Sequence, residues 1–202
     1  LRRGVAVREG AQVRALAAGS VELEGGERVA ARHVVVCAGA WSPEALPGLP
    51  ALPLRPVRGQ IVRLRGEELI RHVVRTPEVY LVPRGDGELL VGATSEERGF
   101  DPAPTAGAVL ELLREAFRAL PGIAELAVAE LTVGFRPALR DHLPAIGPTR
   151  VPGLFLATGH YRNGVLLAPV TARLLVDGLL QGRMPDALAP FAPQRFEGAP
   201  GT

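Results

Sequence analysis

The chain has 202 residues, of which 47% are hydrophobic, enough for one large domain or for one domain with part of another. Its formal net charge is +2, and arginine supplies all 23 basic residues without forming a basic run, which argues against nucleic-acid binding. The single cysteine excludes a disulfide framework, and four scattered histidines without ligand spacing argue against a metal site.

The N-terminal part of the chain predicts two kinds of β structure. Segments 13–16, 20–23 and 28–30 are short and separated by glycines, which predicts an antiparallel meander. Segment 34–38 is continuously apolar before Gly39, a pattern typical of a strand buried on both faces in a parallel sheet. A free cysteine inside such a strand, here Cys37, is expected to pack as a small hydrophobe.

The middle of the chain predicts a sheet followed by one helix. Between residues 54 and 94, alternating apolar residues indicate strands, and Gly85-Asp86-Gly87 is a good hairpin turn. Segment 105–120 predicts an amphipathic helix that Thr105 caps and Pro121-Gly122 ends. Its apolar face should consist of Val109, Leu112, Leu113, Ala116, Phe117 and Leu120.

After this helix, the sequence ELAVAELTVGFRP predicts a strand that ends at Arg136. An arginine there either forms a surface ion pair or directs its guanidinium into a cleft that binds a carboxylate. Tyr80, on an earlier β segment, is either a half-buried packing residue or part of the same cleft.

The sequence GLFLATGHYRNGVLLAP predicts a short buried strand and then a helix that runs to about Leu180. Because proline is tolerated in the first helical turn, Pro169 predicts that the helix begins near Val165 or Leu166. Its positive end would then lie at residues 162–164, where unpaired N–H groups favour an anion.

These elements predict an α+β fold. A large antiparallel or mixed β-sheet with flanking helices should occupy residues 51–142, and residues 1–50 and 143–202 should form part of an α/β layer of the Rossmann type. The longest apolar helix contains Arg173 and Asp177, so we expect no membrane span, and no signal peptide precedes the first strand. We expect a cytoplasmic protein. Because its only methionine is residue 184, we also expect the 202 residues to be a piece of a longer chain.

Five motifs, in order, resemble successive motifs of the FAD-dependent D-amino-acid oxidase family. They are VVVCAGAWS, RPVRGQ, YLVPRGDGELLVGATSE, GFRPALRDHLPAIGP and GLFLATGHYRNGVLLAPVTARLLVDGLL, and they are most similar to the glycine oxidase branch, which serves the thiazole part of thiamine synthesis. The resemblance covers nearly the whole chain but only the C-terminal part of those enzymes. The G-x-G-x-x-G segment that would hold the FAD pyrophosphate does not occur in these 202 residues.

The resemblance implies FAD as cofactor and assigns residues to it and to the substrate. Arg136 would bind the substrate carboxylate, Arg162 would lie beside the substrate and the flavin, and Tyr80 would line the substrate pocket. Glu78 stands where glycine oxidases can carry histidine, which leaves the choice of substrate open. Val13 would lie near the adenine part of FAD, and the flavin ring would contact His160, Tyr161, Arg162, Asn163, Gly164, Val165 and Leu166.

The activity implied is oxidative deamination of glycine or another small amino acid or amine, by hydride transfer to the flavin. Oxygen would be reduced to hydrogen peroxide, and a homo-oligomer, a tetramer in the family, is expected. Because the cofactor supplies the chemistry, no catalytic acid–base residue and no metal ligand is assigned. Two alternatives remain open: a quinone-linked D-amino-acid dehydrogenase or sarcosine-oxidase-like enzyme, and a fragment that binds no cofactor.

Overall fold

A computed structural model describes residues 4–42 and 52–196, which form eleven strands and two α-helices and confirm the α+β fold. The chain divides into a discontinuous unit, residues 1–55 with 137–202, and a central unit, residues 56–136. In chain order the elements are β1 (Val13–Ala17), β2 (Ser20–Leu23), β3 (Arg28–Ala30), β4 (Val34–Val36), β5 (Leu54–Arg65), β6 (Val74–Arg75), β7 (Tyr80–Gly85), β8 (Glu88–Gly92), α1 (Ala106–Ala119), β9 (Ala127–Leu139), β10 (Ala145–Pro148), β11 (Leu154–Thr158) and α2 (Gly164–Gln181).

The discontinuous unit contains two small sheets in addition to α2. β1, β2 and β3 are the predicted antiparallel meander. The other sheet has the order β10-β11-β4, with β4 parallel to β11 as the apolar run indicated. Val34 and Val36 join one apolar cluster and Val35 packs against another, so both faces of β4 are covered.

Cys37 does not lie inside this strand, as was expected, because β4 ends at Val36. The next residue leaves the sheet, and the cysteine is exposed. Its prediction as a buried hydrophobe is therefore wrong.

The central unit is a five-stranded sheet in the order β6-β7-β8-β5-β9. Asp86 and Gly87 join β7 to β8 with φ values of 53° and 70°, the left-handed backbone that a two-residue hairpin loop requires. The predicted hairpin is confirmed.

One face of this sheet is covered by α1. Thr105 caps the helix by accepting a hydrogen bond from the N–H of Ala108, as its sequence predicted. Phe117, which was expected on the buried face, remains 49% exposed because it lies at the edge of the apolar stripe. The core between sheet and helix contains Val62, Leu64, Leu81, Val91, Leu112 and Ala116.

β9 does not end at Arg136 but continues to Leu139. The residue after Arg136 is Pro137, which has no N–H to donate to a neighbouring strand. β9 is the outermost strand of its sheet, however, and an edge strand tolerates a proline on its unpaired side.

α2 begins at Gly164, one residue before the predicted start, and ends at Gln181. The next residue, Gly182, has a φ of 70° that suits a left-handed C-cap. Pro169 lies in the second turn and not in the first, so the helix loses the hydrogen bond to the Val165 carbonyl. Val165 is 95% exposed, which leaves that carbonyl at an accessible helix end.

By length and composition, residues Tyr161–Gln181 would suffice to cross a membrane, with a mean hydropathy of 1.4 in spite of Arg173 and Asp177. We had expected these two charges to exclude a membrane span, but by composition alone they do not. Within the unit, however, α2 buries Thr171, Leu175 and Gly178, so one side of the helix packs on protein.

Candidate active site

The guanidinium of Arg136 lies across the edge of the central sheet, directly over Gly59 of β5. A Cβ atom at Gly59 would stand 2.6 Å from its Cζ, so only glycine permits this approach. Nη1 donates to the carbonyl oxygen of Thr94 at 3.0 Å and to that of Arg58 at 3.5 Å. Two backbone carbonyls thus fix one end of the guanidinium.

The other end of this guanidinium remains available. Within residues 4–42 and 52–196, Arg136 forms no ion pair, and its Nε and Nη2 donors have no hydrogen-bond partner. Arg63, on the same face of β5, contrasts with it because Glu88 and Glu130 pair with its guanidinium at 3.0 and 3.3 Å. Nε–H and Nη2–H form a fork whose geometry matches a carboxylate, and the binding of a substrate carboxylate by Arg136 stays a prediction.

Tyr80 lies on the same face of this sheet. It pairs with Gly92 of β8, and a Cβ atom at Gly92 would stand 2.6 Å from Cε2 of the ring. Gly92 pairs in turn with Ile61, two residues along β5 from Gly59, so the two glycines share a face. The structure therefore places Tyr80 and Arg136 on the face opposite α1, where Tyr80 Oη has no partner among the described residues.

Glu78 lies at the exposed end of this sheet, in the turn before β7. Its backbone N–H donates to Oγ1 of Thr76 at 3.2 Å, and the same hydroxyl donates to the Val79 carbonyl at 3.1 Å. The turn fixes the backbone of Glu78, and its effect on substrate choice stays a prediction.

In the discontinuous unit, buried hydroxyl groups join the end of β11 to the loop that follows β4. Oγ of Ser42 lies 2.9 Å from Oγ1 of Thr158, which donates to the Gly39 carbonyl at 2.9 Å. Both hydroxyl-bearing residues are 1% exposed. The carboxyl ends of β4 and β11 are thereby held together, and in α/β layers ligands bind at these ends.

The loop from β11 to α2 has an unusual backbone. Gly159 and Tyr161 have φ values of 80° and 51°, and a non-glycine residue in this region is uncommon. Nε2 of His160 lies 3.0 Å from Oγ1 of Thr171 on α2, and burial lowers the pKa of the imidazole. His160 is therefore neutral near pH 7 and acts as a hydrogen-bonding group of the loop.

No side chain caps the N-terminus of α2, although Asn163 occupies the capping position. Arg162 and Asn163 are exposed, and the first turn presents Val165 at 95% and Leu166 at 77% exposure. This end of the helix therefore offers a positive dipole beside an apolar surface.

The other predicted residues, among them Val13 and Arg162, belong to the discontinuous unit and not to the central unit. Arg162 belongs to the discontinuous unit, so a carboxylate shared between Arg162 and Arg136 stays a prediction. Val13 is the first residue of β1, where it is partly exposed and pairs with Leu23. Its contact with adenine also stays a prediction.

Parallel strands followed by an uncapped helix N-terminus are typical of the α/β layers that bind nucleotide cofactors. Residues 1–178 match the family model of FAD dependent oxidoreductases, so the chain belongs to that family. The resemblance drawn from the five motifs is confirmed.

Several similar proteins and structures are named as glycine oxidases. The chain is 39% identical over 193 residues to glycine oxidase of Pseudomonas aeruginosa, covering 93% of this chain and 50% of that protein. It is 40% identical over 174 residues to the bifunctional protein ThiO/ThiG of Trichormus variabilis, covering 84% and 26%. The crystal structure of glycine oxidase from Geobacillus kaustophilus matches with a TM-score of 0.80 at 36% identity, covering 93% and 52%. The chain thus spans about half the length of these glycine oxidases.

FAD is the cofactor of this family, and the residues present fit part of it. The uncapped N-terminus of α2 suits a ring system that carries negative charge, and the exposed Val165 and Leu166 suit its apolar face. The residues that would hold the flavin are therefore those of the loop and first turn, 160–166.

Reasoning from the sequence missed the residues that hold Arg136. Gly59 and Gly92 admit the two side chains, and Thr94 and Arg58 supply carbonyl oxygens to the guanidinium. The motifs RPVRGQ and GATSE contain these residues. Nothing in either motif reveals that they pair across two strands.

Proposed function

We propose that this chain belongs to a flavoenzyme that oxidatively deaminates glycine or another small amino acid or amine, with oxygen as acceptor and hydrogen peroxide as product. The observation that carries the proposal is the unpaired fork of Arg136, fixed over Gly59 by two carbonyls. The glycine oxidases among the relatives support the choice of substrate.

In this proposal, Arg136 binds the substrate carboxylate through Nε and Nη2. Two parallel hydrogen bonds fix the orientation of the carboxylate as well as its position, which directs the α-carbon and its hydrogen one way. Tyr80, on the same sheet face, lines the pocket and restricts it to small substrates.

FAD, when bound, supplies the electron acceptor for the α-carbon hydrogen and its electron pair. The contribution of α2 is electrostatic, because an uncapped helix N-terminus stabilises negative charge placed against it. Arg162, exposed at the same end, adds a positive charge beside that position. Neither contribution requires a proton-transferring side chain.

We further place the activity in the thiazole branch of thiamine synthesis, in the cytoplasm, and in a homo-oligomer. Similarity to the bifunctional protein ThiO/ThiG supports the first. Size-exclusion chromatography with light scattering tests the last, and a monomer at working concentration would contradict it.

The decisive experiment measures hydrogen peroxide release by the full gene product, loaded with FAD, with glycine, sarcosine and D-proline. We expect turnover of at least glycine. Electrons that reach an artificial acceptor but never oxygen would indicate the dehydrogenase alternative. A protein that binds neither FAD nor a carboxylate would be non-catalytic.

A further inference from the structure

Arg58, next to Gly59 on β5, carries a fully buried guanidinium. Its side chain is 0% exposed and lies on the α1 side of the central sheet. A buried guanidinium is costly unless it is paired and hydrogen-bonded. Nη2 donates to Oε2 of Glu96 at 2.5 Å, while Nη1 donates to Oδ2 of Asp101 at 3.0 Å and to the Ala103 carbonyl at 2.9 Å.

Glu96 stands at the centre of these contacts. Its Oε1 accepts from Nε2 of Gln60 at 2.8 Å and from Oγ1 of Thr94 at 2.6 Å, and its Oε2 accepts from Arg58. Burial opposes ionisation of this carboxyl, but the hydrogen bonds from Thr94, Arg58 and Gln60 hold its pKa below the ordinary value. Glu96 therefore stays charged and keeps all three donors near pH 7.

The same three partners belong to the two strand segments that hold Arg136. The backbones of Arg58 and Glu96 exchange two hydrogen bonds of 2.9 Å, and the N–H of Gln60 donates to Oγ1 of Thr94 at 2.9 Å. On the opposite face, the carbonyls of Thr94 and Arg58 accept from Nη1 of Arg136. Glu96 thus joins both segments on one face of the sheet while they hold the guanidinium on the other.

We propose that Glu96 is a positioning residue for Arg136: through Thr94 and Arg58 it fixes the two carbonyl oxygens that aim the guanidinium fork at the substrate carboxylate. This inference rests on the proposed role of Arg136 and deepens it. Glu96 does not touch the substrate, since its side chain lies on the α1 side of the sheet with Arg58 and Gln60.

The test compares Glu96→Gln with Asp101→Asn in the FAD-loaded full gene product. Both variants remove one acid from Arg58, but only Glu96 contacts Thr94. The probe is acetate, a simple carboxylate, and its Kd is measured from the change in flavin absorbance. We expect Glu96→Gln to raise this Kd and the KM for glycine about tenfold, an effect of the size that one lost charge-assisted hydrogen bond produces. Asp101→Asn should leave both within about twofold.

Two further measurements separate positioning from loss of folding. Thr94→Val removes the hydroxyl link while keeping the shape of the side chain, and it should weaken acetate binding as Glu96→Gln does. In an Arg136→Met background, Glu96→Gln should cause no additional weakening, because the guanidinium that it positions is gone. FAD content should be unchanged in every variant.

The inference would be overturned if Glu96→Gln and Thr94→Val bound acetate with the same Kd as the wild type. It would also be overturned if Asp101→Asn weakened acetate binding as much as Glu96→Gln does. If Arg136→Met binds acetate as tightly as the wild type, the proposed function of Arg136 fails as well. If Arg136→Met loses acetate and Glu96→Gln does not, only the positioning role fails.

Discussion

Arg136 differs from Arg63 of the central sheet because no carboxylate among the described residues pairs with it. Arg63 points from the same face of β5 but is neutralised by Glu88 and Glu130, whereas Arg136 is held only by uncharged carbonyls within the described residues. Its positive charge is therefore not neutralised by any of the described residues. A paired arginine would have to break an ion pair before it could bind a carboxylate.

Replacement of Arg136 by lysine tests the fork directly. Lysine keeps the charge but cannot form two parallel hydrogen bonds with a carboxylate or retain both carbonyls. We expect Arg136→Lys to raise the KM for glycine about 10- to 100-fold, in line with about 1.5–3 kcal/mol for a hydrogen bond to a charged group. Steady-state kinetics of the FAD-loaded protein measure it. Arg63→Lys is the matched control, and an unchanged KM in Arg136→Lys would remove Arg136 from this role.

Gly59 provides a second test at the residue scale. A Cβ atom there would overlap the Arg136 guanidinium, whereas one at Gly134 of β9 would meet nothing within 4 Å. Gly59→Ala should therefore displace the fork and raise the KM for glycine about tenfold, while Gly134→Ala leaves it unchanged. Equal KM values for the two variants would show that the side chain of Arg136 can move aside without loss.

Among the elements, the turn after β9 depends on a contact from the far end of the chain. Asp141 accepts from Nε of Arg195 at 2.8 Å and from Nη2 at 3.3 Å, and Nη2 also donates to the Leu143 carbonyl at 2.9 Å. Burial opposes ionisation of Asp141, but the hydrogen bonds from Arg195 and from the Leu143 backbone hold its pKa below the ordinary value. The ion pair thus fixes the turn to the short 3-10 helix Pro193–Phe196.

This pair predicts a pH-dependent contribution to stability. Because the folded pKa of Asp141 is depressed, its stabilisation is present above the unfolded value of about 3.9 and disappears as pH falls through the folded pKa. At pH 7, Asp141→Asn should lower the thermal midpoint by about 3 °C, which corresponds to about 1 kcal/mol. The difference from wild type should shrink below about pH 4.

The control for this experiment is Asp186→Asn. Asp186 pairs with Arg183 at 3.2 Å, but its side chain is 92% exposed, so we expect no measurable change in midpoint. A decrease for Asp141→Asn that persists undiminished at pH 3 would show that the charge of Asp141 is not the cause.

How far the elements could be predicted depended on how local their determinants are. The Asp86-Gly87 turn and the Thr105 cap are set by residues beside them, and the sequence placed both. The end of β9 depends on its edge position, and the exposure of Cys37 depends on where β4 loses its partner. Neither property is visible in a local pattern.

The residues of the candidate site also differ in whether a local motif could reveal them. Arg136 and Tyr80 could be selected from their motifs, but the glycines beneath them and the link from Glu96 could not. Glu96 reaches Arg58 over 38 residues of sequence, and the hydrogen bonds between them arise only when β5 meets the segment after β8. Side-chain pairs brought together by strand register are not encoded in any single motif.

At the scale of the whole molecule, the exposed apolar side chains of α2 form a surface to which a cofactor could bind. Val165, Leu166 and Leu180 are 95%, 77% and 82% exposed, an unusual amount of apolar surface for one helix. In our proposal residues 160–166 would contact the flavin end of FAD, and no G-x-G-x-x-G occurs among the 202 residues to hold the pyrophosphate. The chain therefore carries part of the binding energy that an FAD site needs.

We accordingly expect these 202 residues, expressed alone, to be colourless or to bind FAD with a Kd weaker than about 1 μM, a binding free energy of less than about 8 kcal/mol in magnitude. Titration of the purified chain with FAD, followed by quenching of flavin fluorescence, measures this Kd. The full gene product, purified in parallel, is the positive control and should be yellow. Saturable binding by the 202 residues below 1 μM would show that the contacts of the 160–166 loop suffice, because the pyrophosphate would then need no glycine-rich turn of its own.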